Sequence, residues 1–248
     1  MLFRSYNKLS LRRLKPDSNC VLAARILEPR RTDEQLFVPG TSLMCSYVDL
    51  VCGYDEYMRT RTKNFRHNIN RIKNKAQRDG IVVRELKPGD VAADDISEAF
   101  MTLHLSRFGD QTVLGPTQSA LHKLIPALFA EGRIKVFALL KEMLSQTRIL
   151  GVHIALVGKE SHIGWSGGFL PEVSSLSPGN LVLEEAIRQA CISGMVEYDF
   201  GWGAEEYKAR WTTNSREIGD LQFNVGFRRL LATGDDGEQV GATGVVLA

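Results

Sequence analysis

Tyr198-Asp199-Phe200-Gly201-Trp202-Gly203, followed by Glu205-Glu206-Tyr207-Lys208 and then Trp211, reads as a strand that ends in a Gly-Trp-Gly turn and feeds a short helix over 204–211. On that helix Glu205, Lys208 and Trp211 share a face, and Tyr207 and Trp211 are four apart and adjacent. A carboxylate, a phenol and an ammonium within a turn and a half, at the carboxyl end of a sheet strand, is the density expected of a ligand site. The plainer alternative is a salt-bridged helix with Tyr207 and Trp211 in the core.

Upstream lies SPGNLVLEEAIRQACISG (177–194). Ser177 can cap this helix, Pro178 suits its first position, and Leu183, Ile187, Ala190 and Cys191 line one face. Before it, IKVFALL (134–140), ILGVHIALV (149–157) and SHIGWSGGF (161–169) are joined by short polar connections, the pattern of an antiparallel meander. The step from SHIGWSGGF through the helix to VEYDFG (196–201) is a βαβ crossover, which must be parallel and right-handed. At Pro178-Gly179-Asn180 the free backbone N–H groups and the positive dipole end suit a phosphate, and Gly179 permits close approach. Good capping alone would account for the same residues. LQFNVGFRRLLA (221–232) is the closing strand.

The first half is organised differently. Tyr54 to Asp79 reads as one long polar helix closed by Gly80, with Tyr57, Phe65, Ile69 and Ile72 as a thin apolar stripe. IVVREL (81–86) is a strand, and helices are expected over 96–109 and 117–130. Residues 1 to about 50 combine a basic tail, an apolar run at 21–27 and a turn-rich stretch, and read as strands without an obvious partner. Between Arg59 and Arg78 lie eight Lys or Arg and no acid, where the chain average gives about 2.5 basic residues per twenty. That ridge, Arg66 and Arg71 included, suits tRNA or another nucleic acid, an anionic acceptor such as a nucleotide sugar, or coenzyme A phosphates. A solvated helix face is the alternative.

Composition sets the outer bounds. A chain of 248 residues with 44% hydrophobic and 24% charged residues is neither disordered nor a membrane protein, and 31 basic against 29 acidic residues leave only local patches to recognise a polyanion. Cys20, Cys45, Cys52 and Cys191 form no CxxC pair, so neither a metal site nor a disulfide framework is expected, and a cytoplasmic location is. No apolar stretch is long enough to span a membrane. His153 alternates with Ala155 and Val157 and reads as a core histidine, while His104, His122 and His162 show no spacing to a partner.

Three pieces together resemble the GNAT acyltransferase superfamily, in its CelD-type and Fem-like branch. They are the basic helix with Arg59, Arg66, Asn70, Arg71 and Lys75; the Ser177-Pro178-Gly179 helix entry; and Gly194 followed by Tyr198-Asp199-Phe200-Gly201, Gly203, Glu206-Tyr207-Lys208 and Trp211. The resemblance covers about two thirds of the chain. It implies an α/β (α+β) fold, a mixed, mostly antiparallel sheet with flanking helices and one βαβ crossover. It also implies transfer of an acyl group, acetyl first, from a coenzyme A thioester to an amine on a small molecule, sugar or peptide. The Fem-like relatives take the group from aminoacyl-tRNA instead, and a non-catalytic RNA- or polyanion-binding module is the reading from another class. Typical members carry an Arg/Gln-x-x-Gly-x-Gly/Ala loop; Glu172 to Asn180 lacks that glycine pattern, as does the branch the chain resembles.

What the resemblance implies for the site follows residue by residue. Tyr207 corresponds in position to the common general acid, and the base is expected among Glu206, Glu205 and Asp199. Ser177, Pro178, Gly179, Asn180 and Phe169 would hold the donor, in a gap where the strands ending near Phe169 and Phe200 splay. Trp202, Lys208, Trp211, Arg66 and Arg71 would meet the acceptor or its phosphates. Relatives usually carry two GNAT-like halves, so 1–52 is expected to be a remnant of the first half, 53–233 a complete second half and 234–248 a flexible tail. A homodimer would then cover the edge that a shortened first half leaves.

Overall fold

The computed structural model describes residues 43–112, 114–143, 147–203 and 205–224, with 8–15, 18, 22 and 38–39 in addition. Two compact units emerge, 41–219 and the combined segments 1–40 and 220–248. In the latter, strands β1 (Lys8–Leu14) and β2 (Val38–Pro39) are described, and Val38 and Pro39 pair antiparallel with Gln222 and Leu221. The apolar run at 21–27 and the tail at 234–248 lie almost wholly or wholly outside the described residues.

The larger unit holds β3 (Leu43–Asp49), β4 (Ile81–Leu86), β5 (Ile134–Glu142), β6 (Thr147–Val157), β7 (Ser161–Phe169), β8 (Glu197–Trp202) and the start of β9 (Ser215–Asn224). Its helices are α1 (Tyr54–Thr60), α2 (Lys63–Arg78), α3 (Ala93–Phe108), α4 (Gln118–Ala130), α5 (Pro178–Ile192) and α6 (Glu206–Trp211). The strands run in the order β9-β3-β8-β7-β6-β5-β4. Every ladder among these is antiparallel except β7 with β8. The mixed, mostly antiparallel fold expected from the residues is thus present, with α5 as the crossover between the parallel pair.

Two corrections concern the first half. The expected single helix over 54–79 is two: Arg61 is extended, and Thr62 starts α2 by accepting the Phe65 N–H on its hydroxyl at 3.2 Å. The segment read as strands without a partner contributes β3, inserted between β8 and β9, so that Tyr47 faces Asp199 and Cys45 faces Arg216.

Strand alternation divides the core. In β5, Phe137 and Leu139 join the apolar cluster under α1, α2 and α5, while Val136, Ala138 and Leu140 join the cluster under α3 and α4. Both faces of β5 are therefore covered, which is why its centre is an unbroken apolar run. α3 lies against β7 with almost nothing between. A Cβ on Gly168 would sit 2.3 Å from the Leu103 carbonyl oxygen, so only glycine admits the helix at this depth. One extra residue in β7, Trp165, bulges out and stacks on Phe100 of α3 at 5.4 Å.

Candidate active site

The parallel ladder is short. β7 and β8 are in register only from Ser161 with Glu197 to Ile163 with Asp199. Beyond that point β7 continues through Gly164–Phe169 beside β6, and β8 continues to Trp202 beside β3. Backbone groups on the facing sides of the two strands lose their partners there, inside the fold, and become available to a ligand's amides or to a developing oxyanion.

Asp199 sets the shape of β8 at this opening. It is 4% exposed, and its Oδ1 accepts the Gly201 N–H at 2.7 Å and the Cys45 thiol at 2.8 Å. Its Oδ2 pairs with Arg216 at 2.6 Å, and Arg216 also grips Glu197 and lies 4.3 Å over the Tyr47 ring. Burial and the Asp199 carboxylate push the Cys45 thiol up to about 12. The N–H bond from Gly201 forms in a bulge where Phe200 and Gly201 together oppose Ser46, and Gly201 takes φ 72°. A left-handed position of this kind closes a bulge of the glycine type. Of the three carboxylates expected to supply the base, Asp199 is thus the one whose two oxygens are committed to the protein.

Lys208 corrects an expectation. The ammonium read as an acceptor or phosphate ligand is 2% exposed and turns inward, donating to the carbonyls of Gly201, Trp202 and Gly203 at 3.2, 2.9 and 3.3 Å and pairing with Glu205 at 2.7 Å. Three N–H donors are spent on four acceptors, so the lysine is a clamp on the Gly-Trp-Gly turn. Trp211 is a second correction. Fully buried, it packs edge-on against Phe65 at 4.9 Å and donates its indole N–H to Asn180 at 3.2 Å, out of reach of any acceptor. Arg66 is a third, because it closes the end of α1 by donating to the carbonyls of Arg59 and Arg61 at 3.1 and 2.6 Å. Arg71 stays on the exposed face of α2, bonded to Asn68. Lys73 and Lys75 turn toward Glu184 and Ser175, so the basic ridge is smaller than its charge count.

What remains open is a different set. Tyr207 stands beside Phe200, and 36% of it is exposed. Burial, with Glu205 adding and Arg107 opposing, raises its phenol to about 12, so it is a protonated donor at neutral pH. Glu205 precedes α6; its partial burial is outweighed by Lys208, its own N–H and Arg107, which hold its carboxyl below the usual range. Glu206 and Trp202 are exposed at the same end of the strand. Behind them, buried Tyr198 and half-buried His153 share a hydrogen bond of 2.6 Å, which places His153 in the satisfied role its alternation suggested.

The donor-side residues lie at the start of α5. Ser177 does not cap with its side chain; its backbone is left-handed at φ 50°, ψ 56°, ending the turn Pro171–Leu176 and opening α5 at one residue. Asn180 and Leu181 return their N–H groups to the Ser177 carbonyl at 2.9 and 3.3 Å, and Pro178 has none, so Gly179 supplies the outward N–H of this turn. The space where its Cβ would stand has no atom within 4 Å, which suits a phosphate.

Arg107 is the residue that the sequence did not single out. It lies in the last turn of α3, with its guanidinium 4.7 Å over the Phe108 ring and 5.2 Å over Phe169 at the end of β7. Its charge is felt at Tyr207, Glu205, His104 and His153, which come from three separate stretches of chain. Phe108-Gly109 directly after an arginine at a helix end was the one signal available. Two surface depressions, of about 500 and 540 Å³, lie along α3 and its neighbours and include none of the Tyr207 group.

The opened parallel pair, the crossover helix and Tyr207 across from it agree with one family. Residues 63–209, more than half of the chain, match the model of the acetyltransferase (GNAT) domain. The chain belongs to the GNAT family. FemX has the same fold, with a TM-score of 0.60 at 10% identity over 88% of this chain and 72% of that one. So have L-PGS from Bacillus licheniformis (0.56, 10% identity, 88% and 68%) and the C-terminal domain of a putative lysylphosphatidylglycerol synthetase from Agrobacterium fabrum (0.55, 12% identity, 87% and 67%). At such identities the likeness is one of fold. No curated protein sequence matches the chain. Among the described residues no helix of this GNAT chain is long and apolar enough to cross a membrane.

Proposed function

We propose that this GNAT domain transfers an acyl group, acetyl first, from a coenzyme A thioester to an amine. The observation that carries the reading is the parallel ladder that ends after Ile163 and Asp199 with Tyr207 at the opening. The thioester arm pairs with the freed backbone of β7 near Phe169, and the phosphates meet the Gly179 N–H. Attack of the amine nitrogen on the thioester carbon forms the C–N bond; collapse breaks the C–S bond, and the Tyr207 hydroxyl protonates the leaving thiolate. With Asp199 committed to Arg216, Gly201 and Cys45, Glu205 and Glu206 are the carboxylates left to take the amine's proton, through solvent.

A Fem-like aminoacyl-tRNA donor is the second reading, favoured by the fold shared with FemX and by the exposed Lys63, Arg71 and Arg78 on α2. Titrations followed by thermal shift separate the two. Saturable stabilisation by acetyl coenzyme A supports the first, and saturable stabilisation by charged tRNA over uncharged tRNA the second. A shift with any polyanion that disappears at high salt would reduce the chain to a binding module.

A further inference from the structure

Three strong cations around the site have found partners: Lys208 its carbonyls and Glu205, Arg216 its two carboxylates, Arg66 the end of α1. Arg107 has not. Among the described residues no carboxylate lies within ion-pair distance of it, and its guanidinium lies over two aromatic faces, Phe108 and Phe169. Glu205 is close enough to be felt electrostatically, yet it gives its Oε2 to Lys208. Two rings shield the guanidinium while its residue still reaches solvent. Partial burial lowers the affinity of the group for its own proton, an effect that a bound anion would oppose. The planar fork of arginine, held flat by stacking, is preset for bidentate binding of a carboxylate or phosphate.

Its position narrows the source of that anion. The donor's phosphates are assigned to the start of α5, which packs on the sheet face with α1 and α2. Arg107 arrives on α3, which packs on the opposite face. It meets the opening beside Phe169 from the sheet face opposite α5, close to the Tyr207 phenol and Glu205.

We propose that Arg107 is the specificity residue that binds an anionic group, carboxylate or phosphate, carried by the amine acceptor itself. This rests on the acyl-transfer reading of the same site. An acceptor would then be a zwitterion: its amine placed toward the thioester by Glu205 and its neighbours, its anion on Arg107. Neutral amines of the same shape would be poor acceptors. One charge-assisted bidentate contact gives about tenfold or more in affinity.

Two matched pairs of probes test the idea on the full chain, glycine against glycinamide and glucosamine 6-phosphate against glucosamine. Binding of each is measured to wild type, Arg107→Gln and Arg107→Lys, together with acetyl coenzyme A. At least one anionic probe should bind wild type about tenfold more tightly than its neutral counterpart, and the pair that discriminates identifies carboxylate or phosphate. Arg107→Gln should abolish the difference and Arg107→Lys restore part of it, with acetyl coenzyme A affinity within twofold of wild type in both. A preference that survives Arg107→Gln, no preference in either pair, or a matching loss of acetyl coenzyme A affinity would each overturn the assignment, the last by making Arg107 a donor residue. If acetyl coenzyme A fails to bind even wild type while the anion preference holds and depends on Arg107, it is the donor reading that fails.

Discussion

Tyr207 and Lys208 are neighbours in sequence and opposites in circumstance. The lysine is buried, with every donor spent on the turn before it; the tyrosine is a third exposed, with its phenol at the mouth of the opened ladder. The same contrast separates Asp199 and Arg216 from Glu205 and Arg107. A motif dense in polar residues is therefore mostly scaffold, and the groups left for chemistry are those whose hydrogen-bonding capacity the protein does not use up.

The comparison can be broken first at its rigid end. Asp199→Ala should cost about 3 kcal/mol, because it leaves the Gly201 N–H without its acceptor and Arg216 with Glu197 alone. Urea unfolding would show this; an unchanged midpoint would mean that the knot carries no stability. Acid should act next, through a group that is buried but incompletely paired. His162 is 1% exposed, its Nδ1 has no partner among the described residues, and burial lowers its pKa to about 4. Its folded pKa lies below the unfolded value of about 6.5, so its contribution is complete above that value and is lost as pH falls toward 4. The full loss is on the order of 3 kcal/mol, and His162→Gln should flatten that part of the stability curve.

At the open end, Tyr207→Phe should lower kcat about a hundredfold while the melting temperature and acetyl coenzyme A binding stay near wild type. Full activity in that variant would remove the phenol from the mechanism. Gly168→Ala should cost about 1–3 kcal/mol by pushing α3 off β7, and it should raise the acceptor KM more than the donor KM, because Arg107 rides on α3. The smallest expected effects are on α2. Arg66→Ala should destabilise by about 1 kcal/mol through the lost α1 cap, while Arg71→Ala should leave stability within about 0.5 kcal/mol.

These contrasts also explain how far the sequence could be read. Strands β5, β6 and β7, crossover helix α5 and strand β8 were legible because each buries its apolar residues with a regular period over a short stretch. The break at Arg61-Thr62 was hidden in a run of polar residues whose only signal is a threonine cap. The place of β3 depends on pairing with strands about 150 residues away, which no local pattern encodes. Within the site, the residue types around Tyr207 were visible. Their directions were not, so Lys208 and Trp211 looked like ligands until their partners were known. Arg107 was silent because a single arginine ending a helix is common, and its meaning lies in the two rings it stacks on.

The four-way junction at Asp199 has a consequence for how such a chain can drift or be redesigned. Cys45, Asp199, Gly201 and Arg216 come from β3, β8 and β9, and each answers a demand made by the others. Asp199 alone touches the other three, so each of them is tuned to it and the quartet should be inherited or exchanged as a block. A designer who wishes to alter the mouth of the cleft should transplant that block whole and vary only the residues around it.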